Sequence, residues 1–139
     1  MIATILIVED EALVALEMED VLVRAGYRIV GLADTLDTTR HIINVDRPDL
    51  ALCDMRLAEG ETGIDVALDL GRRGIPCLFV TGNCTEAVGS GLALGCLHKP
   101  FNDRGLVAAV HVADAIIAGR RLGPVPSNMH LYDHLPGRI

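Results

Sequence analysis

The residues best suited to chemistry in this chain stand at the exits of apolar runs. Glu9 and Asp10 follow Thr4-Ile5-Leu6-Ile7-Val8, and Asp54 follows Leu50-Ala51-Leu52-Cys53. Thr81 follows Cys77-Leu78-Phe79-Val80, and Lys99 follows Cys96-Leu97-His98. Parallel strands of one sheet end on a common edge, so runs of this kind would bring all five side chains together. Clustered carboxylates raise each other's proton affinity unless a cation neutralises them. An all-oxygen set selects Mg²⁺, with Mn²⁺ as the substitute, over zinc. Asp10, Asp54 and a backbone carbonyl just past Asp54 would leave coordination positions for water and one phosphoryl oxygen.

An aspartate can itself accept a phosphoryl group as an acyl phosphate, because that step needs mainly alignment and charge neutralisation. Asp54, on the third and central run, is the nucleophile candidate; Glu9 and Asp10 lie together and suit metal holding. Lys99 would cancel charge on the phosphoryl oxygens or pair with Asp54 before transfer. Thr81 would donate to a second oxygen. Each has a plain explanation alone: an acid after a strand caps the next helix, a lysine before proline is solvated, a threonine satisfies a turn. Five such positions on four exits of one edge favour the functional reading.

The elements that must position these residues are legible in the periodicity. Val14, Met18, Val21, Leu22 and Ala25 repeat at helical spacing after the first run, with Glu17, Asp20 and Arg24 on the other face, and Gly26 stops that helix. Arg28 to Ala33 forms a second run; Asp34-Thr35 then start a helix that must end before Pro48. Thr62 and Asp65 resemble a capping box for a third helix that closes near Gly71 to Gly74. Pro76 begins the fourth run. Gly82, Gly89, Gly91 and Gly95 interrupt the next segment at ~1 kcal/mol per interior glycine, predicting a short or mobile fourth helix. Asn102 and Asp103 cap a last helix with Leu106, Val110, Ala113 and Ile117 in one stripe. Strands alternating with helices over short connections predict a doubly wound α/β sheet with right-handed crossovers.

At 139 residues, half of them hydrophobic, the chain suffices for one core and is too short for two ordinary domains. Its net charge of −7 disfavours direct binding to nucleic acid or anionic membranes. No apolar stretch is long enough to span a bilayer or form a secretory leader, so a cytoplasmic location without membrane insertion is expected. Cys53, Cys77, Cys84 and Cys96 lack C-x-x-C spacing and read as small, reduced core residues. Residues 120–139 carry Pro124, Pro126 and Pro136 without a sustained period and read as a loosely ordered tail. The sharper reading is a docking segment, with Val125, Met129, Leu131, Tyr132 and Leu135 covering an apolar groove. His130 and His134 have helical metal spacing but no third ligand, which argues against a site there.

Ile5-Leu6-Ile7-Val8-Glu9-Asp10-Glu11, Asp54-Met55-Arg56-Leu57, Thr81-Gly82 and Lys99-Pro100-Phe101 together resemble the receiver domain of two-component response regulators, over residues 2 to about 119. The resemblance implies a flavodoxin-like, five-stranded parallel sheet of order 2-1-3-4-5 with helices on both faces. It implies Asp54 as phospho-acceptor, Glu9, Asp10, Asp54 and the backbone carbonyl of Arg56 as Mg²⁺ ligands, Thr81 and Lys99 as the coupling hydroxyl and lysine, and a cis Lys99-Pro100 bond. The partner it implies is a sensor histidine kinase as phosphoryl donor, with later loss of the group to water. Arg56 and Asn83 occupy positions it marks as tuning that loss. Two departures stand out. Cys96 replaces the aromatic switch residue three positions before the lysine, and Phe79-Val80-Thr81-Gly82 is similar to the Phe-Ala-Thr-Gly motif of an alphaproteobacterial receiver subclass. With no aromatic to rotate, an order change in Gly82 to Gly95 is the expected output device.

The expected protein is thus a stand-alone receiver, residues 1–119 followed by the 120–139 tail. It would accept phosphate without sustained turnover and act as a sink, relay or phosphorylation-dependent binder of a downstream protein, with homodimerisation left open. The alternatives are a phosphorylation-independent receiver-like binding module and a haloacid-dehalogenase-like phosphatase; the latter wants an acid where Arg56 stands. No G-x-G-x-x-G follows the first run, which argues against a dinucleotide-binding domain.

Overall fold

Side chains alternate along each central strand and bury both faces. A computed structural model describes residues 1–82, 84 and 91–132. In β1 (Thr4–Val8), Ile5 and Ile7 join one core and Leu6 and Val8 the other. The same division runs through β3 (Leu50–Cys53), β4 (Cys77–Thr81) and β5 (Gly95–His98): Leu50, Leu52, Leu78, Val80 and Leu97 face one way, Ala51, Cys53, Cys77, Phe79 and Cys96 the other. A sheet covered on both sides needs apolar residues at every position, which is why these strands read as continuous runs. β2 (Arg28–Ala33) lies at the edge and is only half-buried.

Helices α1 (Ala12–Arg24) and α4 (Asp103–Ala118) cover the first face through Met18, Leu22, Leu106 and Val110. Helices α2 (Leu36–Val45) and α3 (Gly63–Arg72) cover the second through Ile43, Val66 and Leu70. Their ends follow local chemistry. Gly26, at φ +102°, ends α1 in a conformation that L side chains rarely adopt. Thr35 accepts the Thr38 N–H while the Thr38 hydroxyl accepts the Thr35 N–H, a reciprocal cap. Asn102 accepts from the Gly105 N–H. The expected Thr62–Asp65 capping box does not form: the Thr62 side chain accepts no backbone N–H, and its hydroxyl donates to the Asp65 carboxylate. Ile117 ends the α4 stripe in solvent at 44% exposure.

The sheet order is β2-β1-β3-β4-β5-β6, in which β6 (Met129–Leu131) runs antiparallel to β5 and the other pairings are parallel. The five-stranded, wholly parallel expectation is corrected by this sixth strand, which also places residues 129–131 of the tail in the sheet in place of the expected loosely ordered segment. An uncovered β5 would offer a row of unpaired backbone groups, and residues 129–131 take them up. Gly95 permits the approach: a Cβ there would lie 2.5 Å from the carbonyl oxygen of His130. Met129 and Tyr132 are buried, as the docking reading expected, while Val125 stays exposed. The Asn128 amide donates to the carbonyls of His98 and Pro100, so the returning segment also grips the turn carrying Lys99.

The cysteine reading needs a correction too. Cys84 and Cys96 form a disulfide with Cα atoms 6.0 Å apart, while Cys53 and Cys77 remain free and buried. A search for short local spacing misses a pair, twelve residues apart in sequence, that the fold brings together beside β5. The expected fourth helix between Gly82 and Gly95, its order change, Asn83, His134 and Leu135 lie wholly or mainly outside the described residues. Among the described residues no helix is long and apolar enough to cross a membrane.

Candidate functional site

Backbone hydrogen bonds between neighbouring strands continue one residue past the apolar runs and hold the site in place. The Glu9 N–H donates to Ala33 O at 2.8 Å, and the Asp54 N–H to Val8 O at 2.9 Å. The Lys99 N–H donates to Thr81 O at 3.0 Å, and the Lys99-Pro100 bond is cis, as expected. Behind Asp54 the chain folds tightly: Gly63 N–H donates to Met55 O, and a Cβ on Gly63 would meet the Asp54 carbonyl oxygen. Sites on strand ends locked in this way are positioned more closely than sites on loops.

The side chains converge. Lys99 Nζ lies 2.8 Å from Asp54 Oδ2 and also pairs with Glu9 Oε1. Asp54 Oδ1 accepts the Arg56 N–H, and Glu9 Oε2 accepts the Glu11 N–H. Burial pushes the Glu9 carboxyl up to about 7, against the Lys99 and Glu11 hydrogen bonds and with help from the Asp54 charge. Burial pushes Asp54 the same way, but hydrogen bonds from Lys99, the Arg56 N–H and Thr81 outweigh it and keep the carboxyl below its ordinary value. For Lys99, burial favours the neutral amine, and the two carboxylates overcome it and raise the ammonium above its usual range. At neutral pH the site therefore holds an ionised Asp54, a charged Lys99 and a Glu9 divided between two protonation states.

One carboxylate oxygen each from Glu9, Asp10 and Asp54 lies within 4.8 Å of the others. Glu9 and Asp54 are buried and Asp10 is exposed, so the cluster opens to solvent on the Asp10 side. Such a set of hard oxygen donors fits a small divalent cation. A cavity of about 550 Å³ adjoins it, lined by Asp10, Glu11, Asp54, Arg56, Thr81, Gly82 and Lys99. It has room for a phosphoryl group with water.

All the residues singled out at the strand exits thus meet at one edge. Asp54 and Thr81 are joined by a hydrogen bond, and Arg56 contributes its N–H to Asp54 while its side chain points to solvent. Sequence reasoning missed the Glu11 N–H that orients Glu9 and the close approach of Gly63. The glycine opening α3 was the one available signal for the second; backbone donors leave none.

Residues 5–111 match the family model for the response regulator receiver domain. The chain is 36% identical over 83 residues to the phyllosphere-induced regulator PhyR of Methylorubrum extorquens, covering 58% of this chain and 31% of that protein. It is 30% identical over 114 residues to the transcriptional regulatory protein PdtaR of Mycobacterium tuberculosis, covering 78% of this chain and 55% of that one. The chain therefore spans about a third to just over half the length of these relatives. Among solved structures, the receiver domain of PhyR from Erythrobacter litoralis superposes with a TM-score of 0.69 at 28% identity, over 89% of this chain and 95% of that one. Acids, a hydroxyl and a lysine at four run exits, a sheet that gathers them, and a family match over most of the length lead to one conclusion: the chain belongs to the response regulator receiver domain family.

Proposed function

We propose that this chain accepts a phosphoryl group on Asp54 from the phosphohistidine of a sensor histidine kinase and signals through protein contacts. The observation carrying this reading is the Lys99 bridge between Glu9 and Asp54 beside Asp10. Asp54 Oδ2 would attack phosphorus in line with the departing histidine nitrogen, forming an acyl phosphate. Its depressed proton affinity keeps the attacking oxygen ionised. Lys99 would shift from the carboxylate to a phosphoryl oxygen, and the Thr81 hydroxyl would donate to another. Glu9, Asp10, Asp54 and the Arg56 carbonyl would hold Mg²⁺ or Mn²⁺, which when bound neutralises phosphoryl charge and helps align the donor. Water attacking phosphorus later returns Asp54 to the carboxylate, with Arg56 beside the path, so the chain is a switch without sustained turnover.

Residues 1–119 would form the receiver proper, and 120–132 would brace its β5 side. Acidic net charge supports output through a downstream protein, with the chain acting as a binder or a phosphate sink in the cytoplasm. The similar PhyR of Bartonella quintana is described as an anti-anti-sigma factor, a protein-directed role of the same kind. Incubation with phosphoramidate and Mg²⁺, followed by intact mass, tests the reading: one phosphoryl group should be gained, and none by Asp54→Ala. Continuous phosphoester hydrolysis would instead indicate a phosphatase, and no adduct a binding module.

A further inference from the structure

We propose that Cys84 and Cys96 are a reversible thiol–disulfide site that governs how the acceptor site responds to its phosphoryl group. This inference rests on the acceptor reading above. The two sulfurs lie between two residues of that site in the chain: Cys84 stands three residues after Thr81, and Cys96 three residues before Lys99. Their disulfide joins the segment leaving β4 to the middle of β5. Cys84 Sγ lies 3.8 Å from the Thr81 carbonyl oxygen, and that same oxygen accepts the Lys99 N–H. Cys96 is fully buried, set opposite Phe79 of β4 and His130 of β6. One covalent bond thus restrains the strand end carrying Thr81 against the strand carrying Lys99.

The two cysteines differ in access, which orders the chemistry. Cys84 is half-buried and can meet a small molecule; Cys96 cannot. The oxidant is a low-molecular-weight disulfide of the glutathione type. The Cys84 thiolate attacks one sulfur of that disulfide, forming a mixed disulfide and expelling the first small thiolate. The Cys96 thiolate then attacks the Cys84 sulfur, the Cys84–Cys96 bond forms, and the second small thiolate leaves. Two electrons pass from the protein sulfurs to the small disulfide, and the two cysteine protons end on the two small thiols. Disulfides inside cells are characteristically transient and redox-sensing. Cys53 and Cys77 are both buried without access and stay outside this exchange. In the disulfide form the segment following Thr81 is tied to β5, and in the dithiol form that tie is released.

The full chain, equilibrated in buffers of graded reduced-to-oxidised glutathione, decides the matter. Denaturing alkylation should count two thiols at the oxidised end and four at the reduced end, reversibly. Amide exchange of residues 79–82 and 94–99, with and without beryllofluoride and Mg²⁺, should show a several-fold change on the reduced protein that is lost on the oxidised one. Cys84→Ser should give the reduced-type response in every buffer. A thiol count that does not move, or identical beryllofluoride responses in the two forms, overturns the inference. Phosphoramidate labelling of Asp54 should occur in both forms; its absence from both would overturn the acceptor reading and the coupling with it, while the thiol count still reports whether the pair exchanges.

Discussion

Gly63 and the Asp54 carbonyl are so close that a Cβ on Gly63 would sit 1.9 Å from the oxygen. Both atoms belong to backbone, so neither can swing aside. Gly63→Ala must push the loop from Asp54 to Gly63 outward and break the Gly63 N–H to Met55 O bond. The expected loss is about 1–3 kcal/mol of stability, measured by urea unfolding, with slower phosphoramidate labelling of Asp54. Gly71→Ala, where no atom lies within 4 Å, is the control and should be neutral or slightly stabilising.

Removing the Lys99 ammonium leaves Glu9 and Asp54 facing each other without a cation. A fully buried pair broken in this way costs on the order of 3–5 kcal/mol. Because Lys99 keeps a side-chain exposure of 20%, solvent screening lowers the expectation for Lys99→Met to about 2 kcal/mol at pH 8. Mg²⁺ should recover more melting temperature in this variant than in the parent. Equal Mg²⁺ shifts in thermal unfolding would show that the cation and the lysine do not neutralise the same charges.

Glu9 sets a pH dependence of definite sign. Its carboxyl rises from 4.5 to about 7 on folding, so between those values the folded chain binds more protons than the unfolded one. Glu9 therefore favours the folded, metal-free protein at the acid end, and that contribution is lost as pH rises through about 7. Mg²⁺ must displace the same proton, so its apparent affinity should climb by up to ~10-fold per pH unit below that point. Calorimetric titrations at pH 6 and pH 8 check this, and Glu9→Gln should flatten the slope. Equal affinities at both pH values in the parent would exclude Glu9 from the ligand set.

Asn128 ties the returning segment to the turn that carries Lys99, through the carbonyls of His98 and Pro100. Asn128→Ala should loosen that turn, at a cost near 1 kcal/mol, and speed exchange of the Lys99 amide. Gly95→Ala should act from the other side by forcing β6 away, exposing the Tyr132 N–H that donates to Leu94 O. Unchanged exchange at Tyr132 would mean that β6 accommodates the methyl group without moving.

The strand runs, the caps at Thr35 and Asn102 and the exit residues were legible because each depends on neighbours close in sequence. Continuous apolar runs identify strands covered on both faces, and their exits then share one edge by topology alone. What escaped depends on the sheet once assembled. β6 has only three residues between prolines and glycines, and it exists because β5 offers a free margin. The Cys84–Cys96 pair links a residue beyond the end of β4 to a residue within β5, a proximity that spacing does not announce. Thr62 and Asp65 have the right spacing for a capping box, yet they bond to each other and leave the backbone uncapped.

With β6 laid along β5, the described sheet ends at β2 on one side and at the three-residue β6 on the other. Of the two margins β2 offers the longer ribbon for strand addition between copies, half-exposed and beginning at the Arg28–Asp46 ion pair. In a pair joined through β2, the sulfur bridge and the Lys99 turn would sit towards the opposite margins, with β1, β3 and β4 between them and the seam strand.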